Sequence, residues 1–119
     1  MINKNKEVGG SHYSDMKIEP IELINALNLN FVHGCIVKYI SRYKSKNGIE
    51  DLRKALHYCS MRGMHCCSDL YGVNAFALKC YFIINDISEE EQEIIVSALT
   101  GEFDKCGKLI EKLIDKQPC

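Results

Sequence analysis

The stretch Val32–Gly63, VHGCIVKYISRYKSKNGIEDLRKALHYCSMRG, decides the fold. Ile36, Val37, Ile40 and Tyr43 recur at helical spacing and predict one helix over Val32–Lys44. It stops in Lys44-Ser45-Lys46-Asn47-Gly48, with cations beside the last carbonyls and then a glycine free to turn left-handed. Glu50 and Asp51 open the next helix, because acidic side chains favour the positive end of a helix dipole. Leu52, Ala55, Leu56 and Cys59 form its buried face, and Gly63 is its expected end. Two helices joined by so short a polar connection make a helical hairpin.

On the N-terminal side, residues 1–10 read as a polar, flexible arm ending in Gly9-Gly10. Pro20 suits the first turn of a helix, where its missing N–H costs nothing, and Ile21, Leu23, Ile24 and Leu27 supply that helix with apolar positions. On the C-terminal side, Val73–Ile87 is apolar enough for helix or strand, and its length favours helix. Ser88 and Glu91 form a capping box ahead of a helix marked by Ile94, Ile95, Ala98 and Leu99. Thr100-Gly101 breaks that helix, and Phe103–Ile114 makes another with Leu109, Ile110, Leu113 and Ile114 as its stripe. The expectation is a compact all-α bundle of five or six helices in one domain, residues 64–119 completing the core begun by residues 11–63.

The chain has 119 residues and a net charge of −1, but the charge is uneven. Residues 1–63 carry ten Lys/Arg against six Asp/Glu, or +4, while residues 64–119 carry five against ten, or −5. An anionic ligand therefore belongs with the first half. A duplex-DNA binder would be more basic overall, so duplex DNA is disfavoured as a partner. The seven cysteines are odd in number and no secretory leader is read ahead of them, which points to reduced, mostly buried thiols in a cytoplasmic setting. No apolar run approaches the roughly 18 residues of a membrane span. A domain this short buries a modest share of its surface, and homo-oligomerisation is a natural way to add core.

Lys38 and Arg42 share one helix face, and Lys44 and Lys46 carry the positive charge into the turn. Arg53 and Lys54 come from the next helix, with Tyr39 and Tyr43 beside the strip. Cations among aromatic rings suit a nucleotide: Lys and Arg neutralise phosphates, while Tyr stacks on a base or bonds a ribose hydroxyl. The competing reading is a solvated basic face with half-buried tyrosines. Glu50 and Asp51 could hold a metal, although adjacent acids at a helix start ordinarily act as caps. His65-Cys66-Cys67, with Cys59 and Cys80, lacks the second ligand pair of a structural zinc site, so no metal is expected there. Neither GxxxxGK[ST] nor GxGxxG occurs, so side chains must grip any phosphate.

His12-Tyr13, Ile18-Glu19-Pro20-Ile21, Gly34, Lys38-Tyr39-Ile40-Ser41-Arg42-Tyr43-Lys44, Lys46-Asn47-Gly48, Glu50-Asp51-Leu52 and Lys54-Ala55 carry a resemblance over residues 11–60. The pattern resembles a small family of tailed-phage proteins, long described as a domain of unknown function. That family includes a nucleotide kinase that phosphorylates deoxynucleoside monophosphates without a P-loop and works as a large oligomer. The resemblance implies a phage or prophage origin and nucleotide handling, and it carries functional roles to His12, Tyr13, Lys38, Tyr39, Arg42, Tyr43, Lys44, Glu50, Asp51 and Lys54; with Lys46 of the charged turn, the expected ligand-binding set is His12, Tyr13, Lys38, Tyr39, Arg42, Tyr43, Lys44, Lys46 and Lys54. Two positions depart from the pattern: Cys35 stands where the family has Asn, and His57 where it often has Trp.

The expected function is capture of a nucleotide, such as a cyclic or ADP-ribose-derived immune signal, in an anti-defence role that needs no cofactor. The alternative is a nucleoside monophosphate kinase using ATP and Mg²⁺, with Glu50 and Asp51 holding the metal. A further alternative is a helical interaction protein with an inert basic face.

Overall fold

A computed structural model describes residues 17–62, 70 and 72–118. The expected arm at residues 1–10, His12, Tyr13, Gly63 and His65-Cys66-Cys67 lie outside the described residues. Among the described residues six helices follow in order: α1 Pro20–Leu27, α2 Phe31–Arg42, α3 Ile49–Ser60, α4 Val73–Ile84, α5 Glu89–Leu99 and α6 Phe103–Asp115. The described residues form an all-α bundle.

Local signals set the helix ends. Pro20 occupies the first turn of α1, where the Glu22 carboxylate accepts the Glu19 N–H at 2.6 Å. Asn28 closes α1 in the left-handed conformation, with φ +54°. The Asn30 side chain accepts the His33 N–H at 2.8 Å and starts α2 one residue ahead of the expected Val32. Between α2 and α3 the chain turns through Gly48 at φ +55°, whose N–H returns to the Tyr43 carbonyl at 2.8 Å. The Ser88–Glu91 capping box opens α5 as expected.

The core lies where α2 and α3 meet α5 and α6. Helix α2 packs on α3 and α5, α6 packs on α3 and α5, and α1 lies against α2 and α4. Ile36, Val37, Ile40 and Tyr43 are all buried, as are Leu52, Ala55, Cys59, Ile94, Ile95, Ala98 and Leu99. In α6 the buried stripe is Phe103, Cys106, Ile110 and Leu113, while Leu109 and Ile114 are only half-buried. The centre of that stripe lies further toward the N-terminus than the sequence spacing indicated.

Gly34 allows the closest approach between α1 and α2, since a β-carbon there would meet Ile24 Cδ1 at 3.3 Å. Polar ties hold α4 to the rest of the bundle. The Tyr81 hydroxyl donates to Ser41 Oγ at 2.6 Å. The Asn85 amide both donates to the Ile18 carbonyl at 2.7 Å and accepts the Ile18 N–H at 3.1 Å. Among the described residues, no helix is long and apolar enough to cross a membrane.

Candidate functional site

Helices α2 and α3 run antiparallel, so Lys38, Tyr39 and Arg42 meet Lys54 and Tyr58 across the hairpin. The Tyr39 ring is the centre of the cluster. The Arg42 guanidinium lies 4.8 Å from its centroid, Lys38 Nζ 5.2 Å and Lys54 Nζ 5.6 Å. Tyr58 stacks on the same ring at 6.0 Å and 16°. Phe31 and His57 meet Tyr58 edge-on at 5.9 and 5.7 Å. An aromatic ladder therefore runs from three cations to Phe31, which is 74% exposed.

Arg42 is the fixed member of this group. It is 7% exposed, and its Nη2 donates to Asp51 Oδ1 at 3.2 Å. Asp51 is fully buried, and its Oδ2 accepts the Asn47 N–H at 3.2 Å. One carboxylate thus ties α2, the turn and the first turn of α3 together. A buried ion pair of this kind is costly to break from either side. Arg42 therefore holds the hairpin together as well as contributing charge. Lys54 pairs loosely with Glu50 at 3.7 Å, and both are well exposed. Lys38 makes no ion pair with the described residues and is the least neutralised cation of the cluster.

Four expected site residues fall elsewhere. The Tyr43 hydroxyl, buried, donates to Glu91 Oε2 at 2.5 Å, and Lys44 Nζ lies 3.0 Å from the same oxygen. Both side chains tie α2 to α5. Burial works against the Glu91 charge, but Tyr43, the Ser88 N–H and Lys44 outweigh it and hold the carboxyl below its ordinary range. Burial and this carboxylate together push the Tyr43 phenol up. Lys46 is exposed in the turn, and Arg53 is exposed on α3. His12 and Tyr13 lie outside the described residues.

Glu50 and Asp51 occupy different environments, one in solvent and one beneath Arg42 with both oxygens engaged. Among the described residues, no three His, Cys, Asp or Glu side chains converge as metal ligands. Cys35, Cys59, Cys80 and Cys106 are free thiols, and all but Cys80 are buried.

Phe31, Tyr58 and Cys35 join the cluster without having been singled out for it by spacing. Cys35 is hydrogen-bonded to Tyr58, and burial raises its thiol above the ordinary range. Cys35 thus touches the aromatic ladder. A period-of-four count from Tyr39 back to Cys35 and Phe31 would have found this face.

No curated protein and no solved structure matches the chain. Residues 5–60 match the model of DUF3310, a protein family of unknown function, over a span that takes in both helices of the hairpin.

Proposed function

We propose that this protein binds a nucleotide on the outer face of the α2–α3 hairpin and holds it without turnover. The observation that carries the reading is the grouping of Lys38, Arg42 and Lys54 within 5.6 Å of one tyrosine ring. Three cations on one partly buried patch suit two or more phosphate charges, and Arg42 is already oriented by Asp51. The adjoining aromatic ladder gives the ligand's flat, less polar part a surface to lie on. Sequestration is favoured over phosphoryl transfer because Asp51 is committed to Arg42 and the Asn47 amide, which leaves Glu50, itself beside Lys54, as the nearest metal-holding carboxylate. In the phage setting that the resemblance implies, the captured molecule is a nucleotide signal of host defence.

Self-association is part of the same reading. Helix α4 leaves Val73, Phe76 and Ile83 exposed at helical spacing, an apolar face that a second copy would cover. Light scattering on Phe76→Glu should then show a smaller particle than the parent protein. A parent protein that already runs as a 13.6 kDa monomer would refute the oligomer.

Native mass spectrometry of the purified protein tests capture directly. The expected spectrum holds a nucleotide at a fixed ratio to protomers, released unaltered on denaturation. Many diphosphates formed per site from a monophosphate, ATP and Mg²⁺ would replace capture with catalysis.

A further inference from the structure

Cys59 and Cys106 take no part in the cationic cluster, yet they bring two thiols together where α3 packs on α6. Cys59 belongs to the buried face of α3 and Cys106 to the buried stripe of α6. The two side chains are hydrogen-bonded to each other. Cys59 Sγ also lies 3.2 Å from the carbonyl of Phe103, one turn before Cys106, and Cys106 Sγ lies 3.5 Å from the Ile94 carbonyl. Gly107 stands beside them, and a β-carbon there would already touch Cys59 Sγ at 3.8 Å.

The two sulfurs differ in their surroundings. Cys106 is fully buried, and its hydrogen bond to Cys59, with burial added, pushes its thiol up. Cys59 lines a groove of about 370 Å³ between α3 and α6, together with Arg62, Phe103, Asp104 and Lys108. The hydrogen bond from Cys106 holds the Cys59 thiol below its ordinary range, helped by the Arg62 charge and opposed by burial and Asp104. Thiolate character and access from solvent are what make a cysteine react, whereas an ordinary buried thiol is inert. One sulfur therefore faces the groove as a nucleophile, with a second thiol directly behind it.

We propose that Cys59 and Cys106 are an oxidation site, at which a hydroperoxide entering the groove converts the two thiols to a disulfide tying the last turn of α3 to α6. The Cys59 sulfur attacks one peroxide oxygen: an S–O bond forms, the O–O bond breaks, and the departing hydroxide takes the thiol proton and leaves as water. The Cys106 sulfur then attacks the Cys59 sulfur. The S–S bond forms, the S–O bond breaks, and the second hydroxide leaves as water with the Cys106 proton. The two thiols lose two electrons in all, which reduce one hydrogen peroxide to two waters. Excess dithiol reverses the bond by exchange.

Hydrogen peroxide added to the full chain, then alkylation of the remaining thiols, tryptic digestion without reductant and mass spectrometry, tests this. Cleavage at Lys and Arg leaves Cys59 in the peptide 55–62, Cys106 in 106–108 and Cys80 in 80–105, one cysteine in each. As peroxide is raised, 55–62 linked to 106–108 should appear before Cys80, the more exposed thiol, is consumed. Cys106→Ser should lose the linked peptide and leave on Cys59 a sulfenic acid that dimedone labels. Oxidation of Cys80 ahead of the pair would overturn the proposal, since exposure alone would then set reactivity. Cys59 joined to any other cysteine, or fully oxidised while Cys106 stays free to alkylate, would also overturn it. The wild-type peptides decide the matter even if the variant misfolds.

Discussion

Tyr39 and Tyr43 stand one helical turn apart on α2, each beside lysine, and end in opposite surroundings. Tyr39 sits among three cations at the hairpin face, whereas Tyr43 is buried with its hydroxyl on the Glu91 carboxylate of α5. The basic half of the chain is therefore split. One part of its charge gathers around the Tyr39 ring, and the other is paired with the acidic half through Glu91. Net charge over a segment does not show how a single long-range carboxylate divides it.

The largest expected effect removes the foundation of the cationic side. Asp51→Ala removes the buried carboxylate that pairs with Arg42 and accepts the Asn47 N–H, and should cost about 3–5 kcal/mol, measured by denaturant unfolding. Arg42→Ala should cost about as much, so a lost affinity in that variant reports folding as well as binding. A loss below about 1 kcal/mol in both would mean that Arg42 serves the ligand alone.

Next comes the Glu91 node. Glu91→Ala removes the acceptor for Tyr43, the partner of Lys44 and half of the α5 capping box, and should destabilise by about 2–3 kcal/mol. Nucleotide affinity should stay within about twofold, since the node lies apart from the Tyr39 cluster. The node also fixes an acid limit. The Glu91 carboxyl is held below its usual 4.5, so the stability it supplies is present above pH 4.5 and lost as pH falls through its folded value. Glu91→Gln should flatten that part of the stability curve, and an unchanged acid slope would show that the carboxylate is not held as described.

The smallest effect belongs to a third ring of α2. His33 is buried, stacks on Phe103 at 5.9 Å, and has its pKa lowered from 6.5 by burial. The unfolded chain takes up this proton first, so stability should begin to fall as pH drops below 6.5, before the Glu91 window opens. His33→Leu should remove that early decline in melts run between pH 7 and 5.

The fold was legible because its signals are local. Pro20 at a first turn, Asn47-Gly48 after a run of cations, and the Ser88–Glu91 box each act within four residues of themselves. The candidate site was legible only in part. Lys38, Tyr39, Arg42 and Lys54 were found by spacing, but the burial of Arg42 depends on Asp51 turning inward from a position that reads as a helix cap. The loss of Tyr43 and Lys44 to α5 spans 48 residues, beyond any periodicity argument. Phe31 fell just outside the expected helix.

The central claim is that the phosphate site lies on the Tyr39 side of α2 and not on the Tyr43 side. Calorimetry with one nucleoside diphosphate on Lys38→Ala, Lys54→Ala and Lys44→Ala tests it most directly, because all three lysines are at least partly exposed and none lies in the hydrophobic core. Binding should be about tenfold weaker for Lys38→Ala and for Lys54→Ala, and should change within about twofold for Lys44→Ala. A loss in Lys44→Ala equal to that in Lys38→Ala, or no loss in any of the three, would contradict it.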